Sequence, residues 1–213
     1  MAGEEGDAIL QIVHIQDASR RGEIEQAGFS GAIHGTRLLW FDGRQSEPYF
    51  DEPEERIEMG ARKEWEGFLA DLTRTGERAV LSYWDIAKAK RLGAWRPDVA
   101  SAIVLNWYPY DRHIPAVGRW AYLLWKCAEY RLRHAVPGLR VYGAMQGFAG
   151  SDPPSEYYWP SMRQLRWAAR VWPMMLGEAF AGFAWFLWDG WPDCLSKHPE
   201  SWPVNIRTES RRI

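Results

Sequence analysis

Cysteine is scarce in this chain of 213 residues, with only Cys127 and Cys194 present. Their separation gives neither a disulfide framework nor metal-ligand spacing, which excludes a disulfide-stapled mini-domain and a cysteine-type zinc site. No His-x-His pair occurs either. His14 within an apolar run and His34 near the end of the next read as core histidines, so a metal-dependent hydrolase is the least favoured reading, and no metal or cofactor is expected. A positive excess is also lacking. The 26 Lys and Arg stand against 28 Asp and Glu, which offers no broad basic field to hold nucleic acid. Asp189 and Gly190 interrupt the most hydrophobic segment well short of the roughly 20 residues that span a bilayer. A membrane is therefore not an expected partner. Met1 to Asp7 show neither the basic start nor the apolar stretch of a secretory leader, so the expected location is cytoplasmic. No glycine-rich phosphate cradle is found.

Tryptophan, by contrast, is abundant, with 14 residues. Three apolar runs in the second half each end in aromatic and polar side chains: Ser101 to Asp111, Leu139 to Phe148 and Gly182 to Gly190. Runs that are apolar throughout suit strands covered on both faces, as in parallel sheets, whose ligand sites lie at the strands' carboxyl ends. Earlier strands are expected at Ala8 to Ile15, at Phe29 to His34 with a continuation toward Phe41, and at Ala79 to Asp85. Gly43 to Pro53 reads as a polar loop. Helical periodicity marks Glu54 to Leu72 and Val117 to Ala135, and Ser161-Met-Arg-Gln164 fits a capping box that opens a helix toward Phe180. Pro173 is expected to kink or divide that last helix. Strand and helix alternate, which argues for a single α/β domain over residues 1–213 with a parallel sheet of about six strands.

The segment from about Ala79 to Trp191 resembles the second half of the (β/α)8-barrel glycoside hydrolases. The resemblance rests on Trp107-Tyr108-Pro109-Tyr110-Asp111, Gln146-Gly-Phe148 and Trp185-Phe-Leu-Trp-Asp189 at three strand ends, and on the order of helix, glycine and apolar strand in Met174 to Trp185. It implies a TIM-type (β/α) barrel, incomplete or with abbreviated N-terminal units, because roughly 250 residues is the usual length of a complete one. It also implies a catalytic acid after a central strand, and Asp51-Glu52-Pro53 before the Glu54 helix matches the Asp-Glu-Pro triplet of such barrels.

Glycoside hydrolysis requires two carboxyl groups flanking the bond. Asp85, Asp111 and Glu52 are the candidates, with the alternative that each aspartate caps the helix after its strand. Trp84, Trp107, Tyr108, Tyr110 and Trp188 are candidate sugar platforms, against the alternative of core packing. Asp189 and Gln146 complete the substrate-binding set, since an amide at the end of an apolar strand needs partners that a polyhydroxyl ligand supplies. The expected function is hydrolysis of a glycosidic bond in an aromatic-lined cleft. The alternative is a non-catalytic carbohydrate-binding protein on a degenerate barrel. An incomplete barrel would leave a strand edge through which the chain could form a homodimer.

Overall fold

The computed structural model describes residues 9–109, 118–149, 159–189 and 193–203. Its first half runs β1 (Leu10–Ile15), α1 (Arg21–Gln26), β2 (Gly31–His34), β3 (Arg37–Trp40), β4 (Glu47–Phe50), α2 (Pro53–Glu58), α3 (Arg62–Thr75), β5 (Ala79–Tyr83) and α4 (Ile86–Leu92). The second half runs β6 (Ala100–Leu105), α5 (Arg119–Arg133), β7 (Arg140–Gln146), β8 (Phe148–Ala149), α6 (Met162–Leu176), β9 (Phe180–Phe186) and β10 (Asp193–Cys194). Strands β1 to β7 and β9 close into an eight-stranded barrel, and β8 and β10 form a separate two-stranded ribbon. The fold is therefore α/β around a closed barrel. Among the described residues no helix is long and apolar enough to cross a membrane.

Two expectations about the barrel need correction. The barrel is not incomplete, and closure leaves no unpaired edge in it, which removes the premise for dimerisation by edge pairing. Nor does strand alternate with helix throughout: β3 is antiparallel to both β2 and β4, so turns replace helices between these three strands. Gly35, at φ 56, makes the tight reversal between β2 and β3. From β4 onward neighbouring strands are parallel, and β1 is parallel to β9 at the seam.

The residues read as a polar loop before Pro53 contain β4. Its charged member, Glu47, accepts hydrogen bonds from Trp40 Nε1 at 2.9 Å and from Ser101 Oγ, which lets a carboxylate sit within a barrel strand. The long helix expected from Glu54 is two helices, separated at Gly60, whose φ of 91 no helix can hold. The capping box at Ser161 is formed, with the Gln164 side chain accepting the Ser161 N–H at 2.7 Å. Pro173 does not divide α6. The helix runs on to Leu176, anchored on both sides of the proline by buried Trp172 and Leu176.

Strand parity divides the core into two layers. On β5, Val80 and Ser82 point into the barrel, whereas Leu81 and Tyr83 face the helices. The interior is filled by Ile12, Ile33, Leu38, Val104, Tyr142 and their neighbours. The outer layer packs Ile103 and Leu105 against Leu123, Cys127 and Trp172. Burial pushes the Cys127 thiol up to about 12, so it remains a protonated core group. Gly143 permits one close contact in this layer: a Cβ there would lie 2.2 Å from the Trp172 ring.

Candidate functional site

Parity places a polar side chain on the inward position at the carboxyl end of several strands: His14 on β1, Ser82 on β5, Asn106 just after β6 and Gln146 on β7. Tyr49 on β4, followed by Asp51 and Glu52, meets the first three of these. Tyr49 Oη–H donates to Asp51 Oδ1 at 2.8 Å, and Ser82 Oγ–H donates to the same oxygen. Asn106 Nδ2 donates to Glu52 Oε1 at 2.8 Å and to Ser82 Oγ at 3.1 Å, and lies 3.5 Å from Asp51 Oδ1. The Glu52 backbone N–H reaches Ser82 Oγ at 3.2 Å. Two carboxyl groups thus share one small set of donors.

Proton counting fixes the directions in this network. A phenol has one proton, and Tyr49 gives it to Asp51, so the 3.1 Å contact between Tyr49 Oη and His14 Nε2 requires Nε2–H to be the donor. Burial lowers the His14 pKa, although Asp51 works against it, so the ring favours its neutral form. Burial, and next the Asp51 charge, keep the Tyr49 hydroxyl protonated well beyond the usual phenol range.

Glu52 stands apart from every other described non-glycine residue because its backbone is left-handed, at φ 44 and ψ 62. Such a conformation costs of order 1–3 kcal/mol and persists only where the surroundings enforce it. Here the Ser82 bond to its backbone N–H and the Asn106 bond to its side chain hold it, against the extended backbone that a following proline favours. Burial, then the neighbouring Asp51 charge, raise the Glu52 carboxyl to about 7, against the opposing bond from Asn106. Because Asn106 occupies Oε1, the proton of the neutral form belongs on Oε2.

Glu54, two residues on, is fully buried and accepts the backbone N–H groups of Trp84 and Asp85 at 2.7 and 2.9 Å through one oxygen. Among the described residues its other oxygen has no hydrogen-bond partner, and burial raises this carboxyl to about 7 as well. The unfolded chain releases the proton near 4.5, whereas the folded chain holds it to about 7, so the folded state binds the extra proton between these values. This stabilisation is complete below 4.5 and is lost as pH rises through 7. The loss attributable to Glu54 is on the order of 3 kcal/mol. Urea unfolding at pH 5 and pH 8 is expected to show the parent weakening with pH, and Glu54→Gln to flatten part of that slope. An unchanged slope would show that Glu54 ionises normally.

The other residues singled out from the sequence have different surroundings. Asp85 caps α4, its Oδ1 accepting the Lys88 N–H at 2.8 Å. Asp189 is buried at the barrel seam, accepting the backbone N–H groups of Gln16 and Asp17 at 2.7 and 3.2 Å. Trp107 lies in the outer layer, stacked on Trp172 with centroids 5.9 Å apart, and donates to the Trp84 carbonyl. Trp188 is wholly buried against Phe29 and Trp202. Trp84 and Tyr108 do reach the barrel mouth, 6.1 Å apart, with Phe186 6.4 Å beyond Tyr108 and 4.8 Å from His14. Gln146 is buried on the inward face of β7. Tyr110 and Asp111 lie outside the described residues.

Sequence reasoning treats His14 only as a core residue or metal ligand and Asp51 only as part of the triplet, and it passes over Tyr49, Ser82 and Asn106. For His14, Ser82 and Asn106 the signal is a polar residue at inward parity just where an apolar strand ends, whereas Tyr49 and Asp51 belong to β4 and its end, which carry no such signal. Among the described residues, no group of three His, Cys, Asp or Glu could hold a metal ion. No family model, curated protein or solved structure matches the chain. The functional reading accordingly rests on the site itself.

Proposed function

We propose that the protein is a glycoside hydrolase-like enzyme on a TIM-type barrel with shortened N-terminal units, in which Glu52 protonates the glycosidic oxygen and Asp51 supplies the fixed negative charge beside it. The observation that carries this reading is the Asp51–Glu52 pair at the mouth of the barrel: one carboxyl surrounded by hydroxyl donors, the other strained, half-buried and raised to about 7. A carboxyl held protonated to about 7 beside a second carboxyl that accepts hydroxyl donors is the pattern of an acid and its electrostatic partner.

In the reaction, Glu52 Oε2–H gives its proton to the leaving oxygen as the bond to the anomeric carbon breaks. The positive charge that develops on the sugar is stabilised by Asp51. Water then adds to the anomeric carbon, and its released proton restores Glu52. One Asn106 amide contacts an oxygen of each carboxyl group, which favours the closer spacing of a retaining pair over the roughly 6.5–9.5 Å gap that an inverting pair uses to house a water. Trp84 and Tyr108 place aromatic faces for a sugar ring near the barrel mouth.

The test is a panel of aryl glycosides and defined oligosaccharides, read both as turnover and as a change in tryptophan fluorescence. Turnover that declines as pH rises through about 7 is expected, because the acid must be protonated. Fluorescence titration without turnover would replace the enzyme by the carbohydrate-binding alternative. Silence in both readouts across the panel would remove both.

A further inference from the structure

The near-balance of charge in the whole chain conceals a lopsided distribution on the outside of the barrel. Helix α6 carries Arg163, Arg166 and Arg170 and no acid. Helix α5 ends in Arg131 and Arg133, and its one acid, Glu129, is already engaged by Lys126 at 3.9 Å and Arg133 at 3.6 Å. Among the described residues, Arg131, Arg163 and Arg170 form no ion pair. A chain with a formal charge of −2 therefore presents one strongly cationic side.

That side is also apolar. Trp125, Leu132 and Met174 are 58%, 84% and 64% exposed, and they make up half of the large exposed hydrophobic residues described. Trp125 and Leu132 are seven residues apart, with Ala128 between them, so they lie on one stripe of α5. On α6, Arg163, Arg166, Trp167, Arg170 and Met174 follow the same helical spacing. The first four line an open depression of about 530 Å³. The two helices pack against each other, and each stripe lies opposite its helix's buried face, formed by Leu123, Cys127 and Tyr130 on α5 and by Leu165, Trp172 and Leu176 on α6.

We infer that the outward face of α5 and α6 docks an acidic amphipathic helix belonging to another protein. Charge complementarity requires an anionic occupant, and the exposed leucine, methionine and tryptophan require one with an apolar side. Tryptophan and arginine together are the residues most enriched at binding hot spots. A duplex nucleic acid would satisfy the cations and leave Leu132 and Met174 in water. A flat lipid surface would not fill the depression, whereas a helix inserts side chains into it. This surface is independent of the barrel mouth and of the function proposed for it.

The probe is a synthetic helical peptide with leucines at i, i+3, i+4 and i+7 on a glutamate background, titrated against the full chain at 0.15 M salt. Saturable binding is expected, weakened at least roughly tenfold in an Arg163→Glu/Arg170→Glu variant and in a Trp125→Ser/Leu132→Ser variant. The charge-reversed variant is expected to bind the same peptide remade with lysines. Both pairs are surface changes, and unfolding curves matching the parent would confirm that they fold. The inference is overturned if the glutamate peptide does not bind, if either variant binds it as well as the parent, or if duplex DNA or phosphatidylserine vesicles bind while the peptide does not.

Discussion

Glu52→Gln is expected to abolish turnover almost completely, lowering kcat by ~10²–10⁴, the usual contribution of a positioned general acid. Glutamine preserves the Oε1 acceptor that Asn106 holds at 2.8 Å, as well as the side-chain length, so the loss would come from the missing proton and not from collapse of the network. The effect of Asp51→Asn would be different in kind. Removing the Asp51 charge removes the second-largest cause that keeps the Glu52 carboxyl high, so the alkaline limb of the pH profile should move to lower pH along with the fall in rate. Asp85→Asn serves as the contrast. Its carboxyl caps α4, so it should alter stability by about 1 kcal/mol or less and leave the pH profile in place. If Glu52→Gln retained parental kcat while Asp85→Asn lost it, the acid would have been assigned to the wrong side chain. The measurement is kcat and kcat/KM against pH for all four proteins on whichever substrate the panel identifies.

The contrast between Asp85 and Glu52 also explains what the sequence could reveal. Strands β6, β7 and β9 are legible because both faces are covered, which makes them continuous apolar runs. Strand β4 is illegible for the opposite reason. It has four residues, one of them Glu47, whose compensation comes from Trp40 on the preceding strand and from Ser101, 54 residues away on β6. Without a legible β4 the Asp-Glu-Pro triplet has no strand to follow, whereas Asp85 and Asp189 follow obvious apolar runs. Asp85 is engaged locally, capping the helix that follows it, and Asp189 is engaged at long range by the backbone at the end of β1. The aromatic bursts divide by parity in the same way. Tyr108 and Phe186 face the barrel interior, whereas Trp107 and Trp185 face the helices. Charge is the other case in which a sum misleads, because a balanced total carries no information about the cationic side formed by α5 and α6.

The largest effect on stability is expected from Gly182→Ala. Gly182 pairs with Leu10 across the β1–β9 seam and with Tyr142 of β7, and an added Cβ would lie 2.1 Å from the Leu10 carbonyl oxygen and 2.8 Å from its carbon. Both obstacles are backbone, so no rotamer change can relieve the contact, and one of the two strands must shift. The seam has more to lose than ladder bonds. Trp185 Nε1 donates to Gln11 Oε1 at 2.7 Å, Trp188 N donates to the His14 carbonyl at 2.8 Å, and Asp189 holds Gln16 and Asp17. Destabilisation of ~3 kcal/mol or more is expected, which for a chain of this size lowers Tm by roughly 10 °C. Gly67→Ala, with nothing within 4 Å in the middle of α3, is the internal control and should stabilise by ~0.5–1 kcal/mol. Gly143→Ala should fall on the destabilising side, because its Cβ meets the buried Trp172 ring, yet a side chain can tilt where a carbonyl in a barrel cannot. The order Gly182→Ala below Gly143→Ala below Gly67→Ala in Tm would therefore locate the stability of the barrel in its seam. A Gly182→Ala protein as stable as the parent would show that β1 and β9 do not close as described, and with them would go the placement of His14 opposite Tyr49 and Asp51.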